Sequence, residues 1–144
     1  MLHDILAFFG STFLKDTIMQ AILIAGITIV HLALAAYSVA IFTQSKRKTI
    51  SKFVLGFLSV GVLFDITATI CMVIGSKEGA LTLHGFIGYS SLLGMLIDTL
   101  LSYRFVAKNG LGASTTPAFN KWSKFAYFYW VAAYITGAIL VMVR

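Results

Sequence analysis

Four long apolar runs, at about residues 17–43, 53–75, 80–105 and 123–143, constrain this chain more than any other feature. Each is long enough to cross a hydrocarbon core of about 30 Å as a helix rising 1.5 Å per residue. A barrel would need many short strands of alternating character, whereas these runs are apolar on nearly every side. The expectation is an all-α polytopic membrane protein, a bundle of four transmembrane helices in which residues 1–144 form a single membrane domain. Composition agrees: 59% of the residues are hydrophobic and 11% charged, with a mean hydropathy of +0.93. What remains outside the runs is too short for a separate catalytic domain.

The polar breaks carry the charge. Lys46, Arg47, Lys48 and Lys52 lie between the first two runs, Arg104, Lys108, Lys121 and Lys124 between the last two, and Lys77 and Glu78 cancel in the middle. By the positive-inside rule the first and third connections are expected in the cytoplasm and both termini outside, in a multi-pass inner (cytoplasmic) membrane protein. The net charge of +6 is thus read as an orientation signal, and nucleic acid is not expected as a partner.

Before the first span, Leu2, Ile5, Leu6, Phe9 and Phe13 recur at helical spacing, which predicts a short amphipathic helix over 1–14 on the outer surface, broken near Gly10. Asp4 stands where a signal peptide would be basic, so no removed leader is expected. Thr116-Pro117 offers a cap followed by proline at a first helical position, so the last helix is expected to begin as early as Pro117. Trp122, Tyr127, Tyr129 and Trp130 read as an interfacial aromatic belt.

Ionisable side chains inside spans are costly and point to function. This chain has four: His31, Asp65, His84 and Asp98. Histidine is the commonest protein ligand of haem iron, and a helix bundle holds a macrocycle where small residues leave room. His84 is the first candidate ligand, flanked by Gly85 and Gly88, with His31 as its partner. The expected helix ends place His31 about ten residues deeper than His84, roughly 15 Å, so Met72 stands as the alternative axial ligand. Asp65 is expected either to orient a ligating imidazole or to be a structural aspartate satisfied near Thr67 and Thr69. Asp98 is expected to pair with Arg104 at the interface. Cys71 has no second cysteine, which excludes a disulfide or a cysteine zinc site. No triad, zinc-hydrolase helix, phosphate loop or dinucleotide fingerprint supports an enzyme.

Several segments carry a resemblance. They are Ala35-Ala36-Tyr37-Ser38-Val39, Phe64-Asp65-Ile66-Thr67-Ala68-Thr69, Leu83-His84-Gly85-Phe86-Ile87-Gly88-Tyr89, Phe119-Asn120-Lys121-Trp122-Ser123-Lys124, and the stretch from Tyr134 to Ala138. In these the chain resembles the HsmA family of small four-helix haem-sensing membrane proteins. The resemblance implies haem b as cofactor, a role in haem sequestration, haem sensing, protection from haem or oxidative stress, or cytochrome b-like electron transfer, and Tyr134 among the residues around the haem. The chain departs from that pattern at Asp98 and Asn120, where relatives place histidines, and His31 then stands as the replacement ligand. A redox partner or a homo-oligomer is compatible with this reading. Two alternatives stay open: a small proton-coupled transporter or transporter subunit using His31, Asp65 and His84, and an assembly protein whose polar residues only set helix register.

Overall fold

The computed structural model describes the backbone of residues 2–76 and 82–143, and the side chains within it except those of residues 2–11 and 141. It is all-α, with α1 (Leu2–Arg47), α2 (Lys52–Gly75), α3 (Leu83–Asn109) and α4 (Pro117–Val143). Three of these, α1, α2 and α3, are long and apolar enough over their described residues to cross a membrane.

The helices start where short polar side chains cap them. Ser51 accepts from the Val54 N–H at 3.3 Å, Thr82 from Gly85 at 3.0 Å and Thr116 from Phe119 at 3.2 Å, each satisfying a donor that the first turn leaves open. Pro117 occupies the first position of α4, as its missing N–H and fixed φ favour. Gly110, at φ +86°, ends α3 by donating its N–H to the Val106 carbonyl.

Two sequence expectations change here. The chain from Leu2 to Arg47 is one continuous helix, so residues 2–14 of the segment expected over 1–14 are the first turns of α1 and Gly10 does not break it. Of the amphipathic face proposed for that segment, Phe13 is exposed and the side chains of Leu2, Ile5, Leu6 and Phe9 lie outside those described. At about 69 Å for 46 residues, α1 is twice the length a hydrocarbon core requires.

Consecutive helices pack as neighbours and α4 closes against α1, an up-down-up-down ring. Ala33, Ala36 and Ala40 are buried, as close helix approach requires. The two basic connections lie side by side: Thr49 bridges Ser114, the Thr115 N–H reaches the Lys48 carbonyl at 2.8 Å, and the Gly112 N–H reaches Ile50 at 3.0 Å. Lys46, Arg47, Lys48, Lys121 and Lys124 are therefore gathered, exposed, at one end of the bundle. Large apolar side chains such as Leu32, Leu63, Phe86, Leu100 and Phe128 face outward from all four helices, a surface suited to lipid rather than water.

The aromatic residues of α4 divide between two environments. Trp122 and Tyr129 are exposed, as an interfacial belt requires. Tyr127 and Trp130 instead point inward, buried to 5% and 2% exposure, because they lie on the face of α4 that also carries Ser123, Ala126, Ala133 and Tyr134.

Candidate functional site

All four helices contribute to one cavity of about 630 Å³ in the half of the bundle away from the basic connections. That volume falls in the range of small-molecule and cofactor sites. The candidate haem-site residues read from the sequence line it, His31 from α1, Asp65 and Met72 from α2, His84, Gly85 and Gly88 from α3, and Tyr134 from α4, while Asp98 does not.

The two histidines are held alike. His31 Nδ1 lies 2.6 Å from the Ile27 carbonyl, which only accepts, so Nδ1 carries the proton when the ring is neutral. Its Nε2 then accepts from the Tyr134 hydroxyl at 2.9 Å. His84 Nδ1 lies 3.2 Å from the Thr136 hydroxyl oxygen. That hydroxyl donates its own proton to the Ala133 carbonyl at 2.7 Å, so His84 Nδ1 is again the donor. Both imidazoles are thereby fixed as the tautomer whose Nε2 holds the lone pair, the arrangement a ligating histidine adopts.

The depth difference expected between the histidines is absent. His31 meets α4 at Tyr134 and His84 meets it at Thr136 and Gly137, within one helical turn. Depth counted from residue 17 misjudged His31, since α1 begins at Leu2 and no helix end marks that level.

Glycine makes the seat of His84. A Cβ built on Gly137 would stand 2.9 Å from His84 Cε1 and Nε2, closer than atoms approach without displacement. A Cβ on Gly88 would meet nothing within 4 Å, so this part of the α3 wall is open.

Of the two readings kept open for Asp65, its hydrogen bonds agree with the structural aspartate, though with partners other than those expected. Its carboxylate neither touches a histidine nor draws on Thr67, whose hydroxyl bonds back to the Leu63 carbonyl at 2.8 Å. Asp65 Oδ2 instead accepts from Trp130 Nε1 at 2.6 Å and from the Tyr37 hydroxyl at 3.3 Å. The indole of Trp130 in turn stacks on Tyr134, with centroids 5.9 Å apart and planes at 17°. Asp65 therefore reaches the histidines only through the chain Trp130, Tyr134, His31. Gly61 is what admits Tyr37, since a Cβ there would fall 2.5 Å from the phenol ring.

Asp98 also departs from expectation. It is fully buried and accepts from Ser123 Oγ at 2.6 Å, while Arg104 is exposed. The register of α3 turns residue 98 inward and residue 104 outward, which a spacing of six residues cannot avoid.

Trp130, Tyr37 and Thr136 are the participants that sequence reasoning missed. Tyr37 and Trp130 were visible only as aromatics in apolar runs, and Thr136 as a helical threonine. The signal available was the face of α4 through residues 123, 127, 130, 134 and 137, spaced three and four apart.

Among the described residues no group of three or more His, Cys, Asp or Glu side chains is placed to hold a metal ion. A macrocyclic metal needs only axial protein ligands, so that finding bears on free ions and not on haem. Comparison of the chain with protein-family models, with curated proteins and with solved structures returns no match, and the site is read from its own geometry.

Proposed function

We propose that this protein is a four-span membrane protein that binds a b-type haem in the cavity between its helices, with His84 and His31 as axial ligands. The observation that carries the reading is the pairing of two histidines on one cavity, each with Nδ1–H anchored and Nε2 left as the lone-pair nitrogen. In the proposed topology α4 is the fourth span, and the basic end formed by the first and third connections is cytoplasmic.

The residues fit the group. The cavity is walled mainly by apolar side chains from α1 to α4, and the open side of Gly88 leaves room for a flat ligand, while the space at Gly137 is taken by the His84 ring. The Ile27 carbonyl and the Thr136 hydroxyl orient the two imidazoles and raise their basicity. The Tyr134 hydroxyl bonds His31 Nε2, so that His31 would hold the iron only by giving up this bond, and Met72 lines the same cavity as the alternative to His31. Trp130 and Tyr37 keep Asp65 turned away from the histidines, which leaves both imidazoles to the ligand. A haem held by two histidines supplies reversible one-electron chemistry, and its enclosure also serves sequestration or sensing of haem.

The test is a haem titration of the detergent-purified protein, followed by spectra of the oxidised and reduced forms. The expected result is a Soret band that saturates at one haem per chain and is lost or shifted in both His84→Ala and His31→Ala. Absence of a Soret band, or one unchanged in both variants, overturns the proposal. Loss in His84→Ala alone assigns the second ligand to Met72.

A further inference from the structure

A groove of about 620 Å³ opens outward between α3 and the first turn of α4, at the basic end and apart from the haem cavity. Leu101, Arg104, Phe105 and Lys108 of α3 and Phe119 of α4 line it. The four residues of α3 recur three and four apart, so they form one stripe along the helix, about 10 Å long. Phe105 meets Phe119 across the helix pair, with ring centroids 5.4 Å apart and planes at 41°. The stripe is therefore apolar at Leu101, Phe105 and the facing Phe119, and cationic at Arg104 and Lys108.

Those two cations have no anion from the chain itself. Both are exposed, and among the described residues neither the Arg104 guanidinium nor the Lys108 ammonium has a hydrogen-bond or ion-pair partner. The chain has five carboxylates, Asp4, Asp16, Asp65, Glu78 and Asp98, and none of them lines the groove. A cation near a helix C-terminus often serves the last carbonyls. Here the Gly110 N–H takes the Val106 carbonyl at 2.8 Å and the Asn109 amide takes the Phe105 carbonyl at 3.0 Å.

The chemistry of the groove selects its occupant. A free phosphate would match Arg104 and Lys108 and leave the leucine and the two phenylalanines uncovered. A neutral lipid would cover the apolar part and leave two cations without an anion. An anionic phospholipid matches both parts: guanidinium and ammonium hold phosphate oxygens through charge-assisted hydrogen bonds, and an acyl chain covers the apolar side chains. Basic pockets between helices at the cytoplasmic side of a bilayer suit such headgroups.

We infer that the groove between α3 and α4 binds one anionic phospholipid, its phosphate held by Arg104 and Lys108 and an acyl chain laid against Leu101, Phe105 and Phe119. The inference rests on the four-span topology proposed above, which puts the basic end at the cytoplasmic face of the bilayer. It does not rest on haem, because none of these residues lines the haem cavity.

The experiment is native mass spectrometry of the detergent-solubilised full chain with phosphatidylglycerol or phosphatidylcholine added. The expected result is one phosphatidylglycerol retained per chain in preference to phosphatidylcholine, weakened about tenfold in the double variant Arg104→Gln, Lys108→Gln. Lys46→Gln, Arg47→Gln removes the same charge from exposed positions at the end of α1, outside the groove, and leaves retention unchanged. His84→Ala also leaves it unchanged. Equal retention of the two lipids, or equal loss in the two double variants, overturns the inference. Displacement of the lipid by inorganic phosphate at equal concentration assigns the groove to a free anion and overturns it too. Extraction of cell membranes with alkaline carbonate tests the topology separately: release of the chain overturns the topology and this inference with it, whereas a retained chain without lipid selectivity overturns this inference alone.

Discussion

Gly137→Ala tests the seat of His84 directly. The added Cβ would stand 2.9 Å from His84 Cε1 and Nε2, whereas ordinary contact begins at 3.4 Å, so the ring edge has to withdraw by about half an ångström. Withdrawal from α4 lengthens the bond from Nδ1 to the Thr136 hydroxyl, now 3.2 Å, beyond the roughly 3.2 Å limit of a good N–H···O bond. Losing the partner that orients a ligating imidazole typically costs about 10- to 100-fold in metal affinity, or about 1.4–2.7 kcal/mol. Haem titration by Soret absorbance, fitted for Gly137→Ala beside wild type, reads that loss. Thr136→Val should weaken binding in the same direction, because it removes the bond without crowding the ring. Gly56→Ala is the control, since a Cβ there meets nothing within 4 Å. Wild-type haem affinity in Gly137→Ala would refute the reasoning that α4 positions His84.

Three further outcomes are expected. Gly61→Ala drives a Cβ to 2.5 Å from the buried Tyr37 ring and should destabilise the bundle by about 1–3 kcal/mol, read as a lowered unfolding transition beside Gly56→Ala. Trp130→Phe removes the 2.6 Å bond to Asp65 and should cost about 1.5–3 kcal/mol, more than Asp65→Asn, which keeps an acceptor oxygen for both Trp130 and Tyr37; the opposite order in thermal unfolding would contradict the role given to Asp65. On a Cys71→Ser background, cysteines placed at Lys48 and Ser114 should be shielded from an impermeant thiol reagent in intact cells while one at Ser76 is labelled, since the first two sit together in the basic connections.

Much of the architecture was legible because it is local. The four helices follow from the length of the apolar runs, and the start of α4 from Thr116-Pro117, whose hydroxyl meets the Phe119 amide three residues on; the caps at Ser51 and Thr82 came only with the structure. The residues of the cavity were legible as a set, since a charged or imidazole side chain within an apolar span has few other reasons to be there. Their partners were not. Asp65 looked to Thr67 and Thr69 on its own helix but is held by Trp130 and Tyr37, 65 and 28 residues away. Asp98 looked to Arg104 and found Ser123 instead. Tyr127 and Trp130 looked like interface anchors because composition does not say which way an aromatic faces.

The ionisable groups within the apolar runs, which opened the functional question, were determined by the sequence alone: it is the order of residues that puts His31, Asp65, His84 and Asp98 inside them. Where those groups stand relative to one another was decided only by the tertiary structure. An apolar helix slides and turns against its neighbours with little change in its own energy, so stagger and rotation are set by cross-helix contacts such as Gly137 on His84 and Gly61 on Tyr37. Those contacts bring His31 and His84 to one level, and they part Asp65 and Asp98 into two separate centres.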